Sequence, residues 1–186
     1  MRIISGYLKG RKIKLPKDKF TRPLKDSAKE SIFNILEHSN LINIDLKKSV
    51  ILDLFSGVGS FGLECISRGS KNVVFCENYP SAIEVLEENI LELSCLNKTK
   101  ILTKNIFEKK NLEKFSNKKF EIIFIDPPYK EKRLNNLLND ILNLRLLKDN
   151  GIIIIHRHKK EKEIYPLKFK ILKIKTYGIS KIIFGN

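Results

Sequence analysis

A chain of 186 residues, 42% of them hydrophobic, can bury a sizeable core and is expected to form one compact domain with a short extension. It has no apolar run of the roughly eighteen residues a membrane span needs, and "MRIISGYLKGRK" leads into no small-residue cleavage site, so a cytoplasmic protein is expected. Cys65, Cys76 and Cys95 are odd in number and widely spaced, which argues against a disulfide framework or a zinc site and for buried free thiols; no metal is expected.

The net charge of +15 is segregated: residues 1–30 carry a net +7, residues 31–95 a net −5 and residues 96–186 a net +13. Three of only seven arginines, Arg2, Arg11 and Arg22, fall early, where a planar fork of donors grips phosphate as an ammonium cannot. A nucleic-acid partner is expected for the N-terminal segment, whereas in the C-terminal half the same charge fits a Lys-rich composition equally well.

In chain order, "RIISGYLKGRKIKL" reads as a small hairpin with basic residues among apolar ones, and "PKDKFTRPL" as a loop. "KDSAKESIFNILEH" places Ala28, Ile32, Phe33 and Leu36 on one helical face. From residue 50 the pattern alternates. "VILDLF", "NVVFCE", "KILT", "FEIIFID" and "GIIIIH" are buried-type strands; "FGLECISRG", "PSAIEVLEENILELSC" and "RLNNLLNDILNLRLL" are helices between them. "FKILKIKTYG" and "SKIIFG" form a closing antiparallel pair about Gly178. This order predicts an α/β, Rossmann-like, doubly wound and mostly parallel seven-stranded sheet with a C-terminal antiparallel hairpin, preceded by a small N-terminal hairpin and helix. Residues 1–25 are read as a basic RNA-binding extension and 26–186 as the main domain. No repeat or coiled-coil pattern suggests more than a monomer.

"LDLFSGVGSFG" follows a strand and opens a helix, with Gly57, Gly59 and Gly62 in G-x-G-x-x-G spacing. Such a turn lets a ligand approach the backbone, but dinucleotide and S-adenosylmethionine enzymes both use it. Glu77, ending the second strand, suits the ribose hydroxyls of either cofactor. Asp53 separates them: a carboxylate beside the glycine turn would repel a pyrophosphate and attract an ammonium and a sulfonium, so S-adenosylmethionine is favoured.

"IIFIDPPYK" ends a strand on a carboxylate, two prolines and an aromatic ring. A nucleobase amine is a poor nucleophile because its lone pair is delocalised; two acceptors on its two N–H groups aim that lone pair and stabilise the charge that develops. Asp126 and the carbonyl of Pro127 can be those acceptors, Pro127 and Pro128 stiffen the frame, and Tyr129 can stack on an extruded base.

Asp-Pro-Pro-Tyr resembles the motif of amino-directed methyltransferases. More narrowly, "RIISGYLKGRKIKLP", "TRPLKDSAKESIFNIL", "LDLFSGVGSFGLECISRG" and "FIDPPYK" together, in that order over nearly the whole chain, resemble the RsmD family of bacterial 16S rRNA guanine-N2 methyltransferases. The resemblance implies methyl transfer from S-adenosylmethionine, leaving S-adenosylhomocysteine, to guanine N2 at a 966-type site during small-subunit assembly, with 16S rRNA or the small subunit as partner. It implies that Asp53, Gly57 and Gly59 surround the methionine part, with Phe55 and Ser56 in the same loop, that Glu77 and Asn78 meet the ribose, and that Asn105 and Ile106 lie near the adenine. Asp126, Pro127, Pro128 and Tyr129 would form the catalytic corner. Thr21, Arg22, Pro23 and Leu24 would approach cofactor and RNA, helped by Arg2, Gly6, Lys9, Gly10, Arg11, Lys12 and Lys25.

The sequence departs from the family at Leu24, at "NYP" after Glu77 and at His156. "HRHK" at 156–159 reads as surface or RNA-facing groups. The alternatives are an amino methyltransferase acting on DNA adenine or protein glutamine, and a non-enzymatic nucleic-acid-binding module.

Overall fold

The computed structural model of the chain describes residues 1–18 and 24–186. Twelve elements follow one another: α1 (Asp26–His38), β1 (Val50–Leu54), α2 (Ser60–Ser67), β2 (Asn72–Cys76), α3 (Pro80–Glu92), β3 (Thr99–Leu102), α4 (Lys109–Glu113), β4 (Phe120–Ile125), α5 (Leu134–Asn143), β5 (Leu147–His158), β6 (Ile171–Tyr177) and β7 (Ser180–Gly185). They build one seven-stranded sheet in the order β3-β2-β1-β4-β5-β7-β6. β1 to β5 are parallel, and β7 pairs antiparallel with both β5 and β6. This is the expected doubly wound fold.

The parallel strands are apolar on both faces because helices cover both. Ile51, Phe75, Ile122, Phe124, Ile152 and Ile154 pack on one face with α1, α2 and α3; Leu52, Leu54, Val74, Ile123, Ile125, Ile153 and Ile155 pack on the other with α4 and α5. Phe61 of α2 stacks on Phe124 at 4.1 Å and on Phe33 of α1 at 5.5 Å, so α1 is part of the same core. All four apolar residues assigned to its face are buried.

The order of strands decides where a ligand can sit. From β1 the chain winds outward through β2 and β3, then returns to place β4 on the other side of β1. The loops leaving β1 and β4 therefore diverge, and a crevice opens between them at the carboxyl edge of the sheet.

Two helices stop sooner than the sequence predicts, at Glu92 and Asn143. Both end in a turn where the next-but-one residue adopts a left-handed conformation, Ser94 at φ 55° and Arg145 at φ 51°. The bonds Cys95 N to Ile90 O and Leu146 N to Ile141 O close the turns. β5 is longer than the run "GIIIIH", because Leu147 pairs with Phe120 beyond an irregularity in the ladder.

The N-terminal hairpin is a single antiparallel bridge, Arg2 with Lys12, supported by Ile3 N to Arg11 O and Ile13 N to Met1 O. Ladder pairing stops there because Glu64, fully buried in α2, claims the next amides: Ile4 N donates to Oε2 at 2.7 Å and Ser5 N to Oε1 at 2.9 Å. Lys29 Nζ lies 3.5 Å from the same carboxylate, and Arg68 Nε donates to it at 2.9 Å. Burial lowers the Lys29 ammonium below its ordinary range despite Glu64 and Asp26. Ile3, Leu8 and Ile13 are buried against the core.

Candidate active site

Strand register places the carboxylates. Asp53 pairs with Phe75 in β2 and with Phe124 in β4, so Glu77 and Asp126, each two residues further on, project from the same sheet face as Asp53. All three line one cleft of about 380 Å³, together with Gly57, Pro127 and Tyr129.

The glycine loop has its shape for identifiable reasons. Gly59 has φ 84°, and a Cβ there would come within 2.5 Å of Leu86; a Cβ on Gly62 would come within 2.3 Å of the Phe75 ring. Gly59, the second glycine, thus needs backbone freedom, and Gly62, the last, needs close contact between helix and strand. Phe55 is itself left-handed at φ 60°, which turns the chain sharply out of β1. Ser56 N donates to Cys76 O at 3.1 Å and ties the loop to β2.

Asp53 is 1% exposed; its Oδ2 accepts from Gly62 N at 3.0 Å, while Oδ1 is buried and has no partner among the described residues. Burial pushes this carboxyl well above its ordinary value, Asp126 and Glu77 push it further, and the Gly62 amide opposes them. An unpartnered carboxylate oxygen in a cleft fits a cationic ligand. Burial first, then Asp53 and Glu77, raise the Cys76 thiol, and burial raises that of Cys65, so neither is a nucleophile.

Glu77 is half-buried and does more than the sequence suggested. Its Oε2 accepts from Gly57 N at 2.7 Å, and its Oε1 from Asn78 N at 2.8 Å and Tyr79 N at 2.9 Å. It braces the glycine loop from below as well as facing the cleft. Beside it a recess of about 200 Å³ is lined by Asn78, Asn105, Ile106 and Phe107. Asn105 Oδ1 accepts from Phe107 N, and Arg133 lies 3.9 Å above the Phe107 ring.

The corner 126–131 crosses the sheet edge, and β5 holds it from both faces. His156 Nδ1 stands 2.8 Å from Asp126 Oδ1. Arg157 donates to the carbonyls of Pro128 at 2.9 Å, Tyr129 at 3.1 Å and Glu131 at 3.0 Å, and its Nε donates to Glu163. His158 meets Tyr129 edge to face at 5.1 Å. The expectation that "HRHK" faces solvent or RNA is overturned for its first two residues: His156 is 3% exposed and Arg157 is 1% exposed. They are buried because β5 runs between β4 and β7. With no register in hand, the sequence offered no sign that a basic triplet abuts the corner.

The expected nucleic-acid residues are spread out. Thr21, Arg22 and Pro23 lie outside the described residues; Leu24 is buried and lines the cleft. Lys25 is exposed next to it. Arg2 and Lys12 are paired across the hairpin, whereas Gly6, Lys9, Gly10 and Arg11 form a turn at the far end of α2 from the glycine loop. There Tyr7 N donates to Ser67 O, and Arg11 Nη2 to Glu92 O.

The family described as Conserved hypothetical protein 95 matches residues 1–186. The chain belongs to this family, the RsmD family. It is 35% identical over 173 residues to the "Ribosomal RNA small subunit methyltransferase D" of Buchnera aphidicola, covering 93% of this chain and 86% of that protein. Among solved structures it is similar to HI0767 of Haemophilus influenzae, with a TM-score of 0.75 and 27% identity over 99% of this chain and 96% of that one. It is also similar in fold to SMU.776, solved in complex with SAH, at a TM-score of 0.62 and 17% identity, covering 84% of this chain and 48% of that one. The fold of this RsmD-family chain is that of the class I methyltransferases.

Proposed function

We propose that the chain transfers a methyl group from S-adenosylmethionine to guanine N2 of 16S rRNA, on the naked RNA or on an assembling small subunit in the cytoplasm, acting as a monomer. The observation that carries this reading is the convergence of Asp53, Glu77 and the Asp126–Tyr129 corner on one cleft at the sheet's switch point. The relatives' names support ribosomal RNA as the substrate class, and the SAH-bound neighbour supports the donor.

When bound, S-adenosylmethionine supplies a methyl carbon made electrophilic by its sulfonium. The residues that would hold it fit: the unpartnered Asp53 oxygen suits its ammonium, the loop of Gly57 and Gly59 its backbone, Glu77 and Asn78 its ribose, and Asn105 and Ile106 its adenine. Asp126 and the Pro127 carbonyl accept the two N–H groups of the target amine and hold its lone pair toward the methyl carbon. Tyr129 supports the extruded base. No general base is required, because the methylated amine loses its proton to water after transfer.

Lys130 and Lys132 on the corner, and Lys159 and Lys160 just beyond β5, are exposed and make no ion pair among the described residues. Glu131, between the first two, is bound to Arg133, and Glu163, beyond the second two, to Arg157. These four lysines form a basic collar beside the corner and the end of β5 that would meet RNA phosphates, with the residues 1–25 segment as a second contact.

The test is methyl transfer from labelled S-adenosylmethionine to unmodified small subunits, naked 16S rRNA and duplex DNA, followed by nucleoside mass spectrometry. N2-methylguanosine that vanishes with Asp126→Ala is the expected result. Label in N6-methyladenine would overturn the target, and absence of cofactor binding would overturn the enzyme.

A further inference from the structure

The last ladder pair between β4 and β5 is Ile125 with Ile155, so Asp126 and His156 are the next pair in line and project from the same face. His156 is held on its other side by pairing with Ile182 of β7. Its Nδ1 lies 2.8 Å from Asp126 Oδ1, a charge-assisted distance. Because a carboxylate only accepts, the proton in this bond sits on Nδ1. The other ring nitrogen, Nε2, is buried with no partner among the described residues. A side chain serving only to fill this space would be apolar, since an unpartnered buried nitrogen is a cost with no packing return.

We propose that His156 is a positioning residue for methyl transfer: its Nδ1–H fixes the plane of the Asp126 carboxylate on which the target amine is to dock. The proposal rests on reading Asp126 as an amine acceptor. A carboxylate can rotate about its last bond, and rotation would move an acceptor oxygen far more than the few tenths of an ångström an aimed lone pair tolerates. Arg157 fixes the backbone of residues 128–131 from the opposite face. It does not bond Asp126's side chain; among the described residues His156 does.

Two substitutions of similar polarity separate the role from packing. In His156→Asn the amide nitrogen falls near the position of Nδ1 and can still donate to Asp126; in His156→Gln it falls near Nε2 and cannot. For Gln, turnover should fall roughly ten- to a hundredfold, with KM for both substrates and the calorimetric affinity for S-adenosylmethionine within about twofold of wild type. Asn should recover most of the loss. Independently of activity, the imidazole nitrogen spectrum of the chain alone should show an exchange-protected Nδ1–H at His156 that disappears with Asp126→Ala.

Equal turnover in Gln and wild type, equal impairment in Asn and Gln, or an unprotected Nδ1 would each overturn the proposal while leaving the function intact. A wild-type chain that binds no S-adenosylmethionine or methylates no nucleobase would overturn the functional reading, and this proposal with it.

Discussion

Arg157→Met tests whether the corner is held by a buried cation. Methionine keeps a flexible apolar stem of similar length while removing four donated bonds: those to the carbonyls of Pro128, Tyr129 and Glu131, and that to Glu163. Glu163 is left with a side chain only 10% exposed and no partner in place of the guanidinium. Removing one member of a buried pair costs about 3–5 kcal/mol. The lower end applies here, because the corner lies at the sheet edge, where water can replace some of the donors. In a chain of this size about 3 kcal/mol corresponds to a fall in Tm of roughly 6–12 °C. Thermal unfolding followed by circular dichroism reads it directly, and urea unfolding with an unchanged m-value would show that stability alone has moved. Arg157→Lys should fall between the two, since one ammonium cannot span three carbonyls and a carboxylate. A loss below about 1 kcal/mol for Met would refute the reasoning, because it would mean that the corner keeps its shape without the clamp.

Asp53 makes stability and cofactor binding depend on pH in opposite senses. Its folded-state carboxyl is raised, so the stability it contributes is fully present below about pH 4 and is lost as pH climbs through the raised value; Asp53→Asn should stabilise the free chain near neutrality by about 1 kcal/mol and flatten that slope in urea titrations. Binding of a cationic ligand should release the proton, so wild-type affinity for S-adenosylmethionine should rise with pH, as calorimetry in buffers of different ionisation enthalpy would show, and Asp53→Asn should lose this dependence. Glu64→Ala removes the acceptor of Ile4 N and Ser5 N and the buried counter-charge of Lys29, which keeps Arg2 O and Asp26; hydrogen exchange at those two amides should accelerate far more than in β4, at a global cost of about 3 kcal/mol. Replacing Lys130, Lys132, Lys159 and Lys160 by alanine should flatten the plot of log affinity for RNA against log salt by about 0.7 per lysine lost, and an unchanged slope would remove the collar from the interface.

What was legible in the sequence was whatever its own residues signal locally. The strand "SKIIFG" is found at its predicted bounds, and α2 stops before Gly69, whose φ of 101° closes the helix in the manner glycine advertises. α3 and α5 end in the same kind of turn with Ser94 and Arg145 in the left-handed position, and there the sequence read on to Cys95 and Leu147, because neither residue type marks a stop. The short helix α4, five residues long, is too short for a period to mark it. At the site, Glu77 and Asp126 could be chosen because each ends an apolar run, and Asp53 because it interrupts one beside the glycine turn. His156 and Arg157 could not be assigned, since their partners are set by pairing between strands far apart in sequence.

That pairing carries the chemistry. Successive residues of a strand face opposite ways, so a slip of one residue between β4 and β5 would present Arg157 to Asp126 and His156 to the carbonyls of the corner. Both contacts would fail: the imidazole cannot reach three carbonyls, and the guanidinium would fill part of the cleft beside Asp126. The register is set at the opposite end of β5. Between the pairs Phe120 with Leu147 and Ile122 with Ile152, β5 takes up three more residues than β4, and Gly151 lies within this stretch, where a Cβ would come within 2.8 Å of Leu147 and 3.0 Å of Lys148 O. From Ile152 the ladder with β4 runs unbroken to Ile155, and from Ile153 the ladder with β7 runs unbroken to His158. A backbone irregularity at one edge of the sheet thus decides which side chain meets the Asp126 carboxylate at the other.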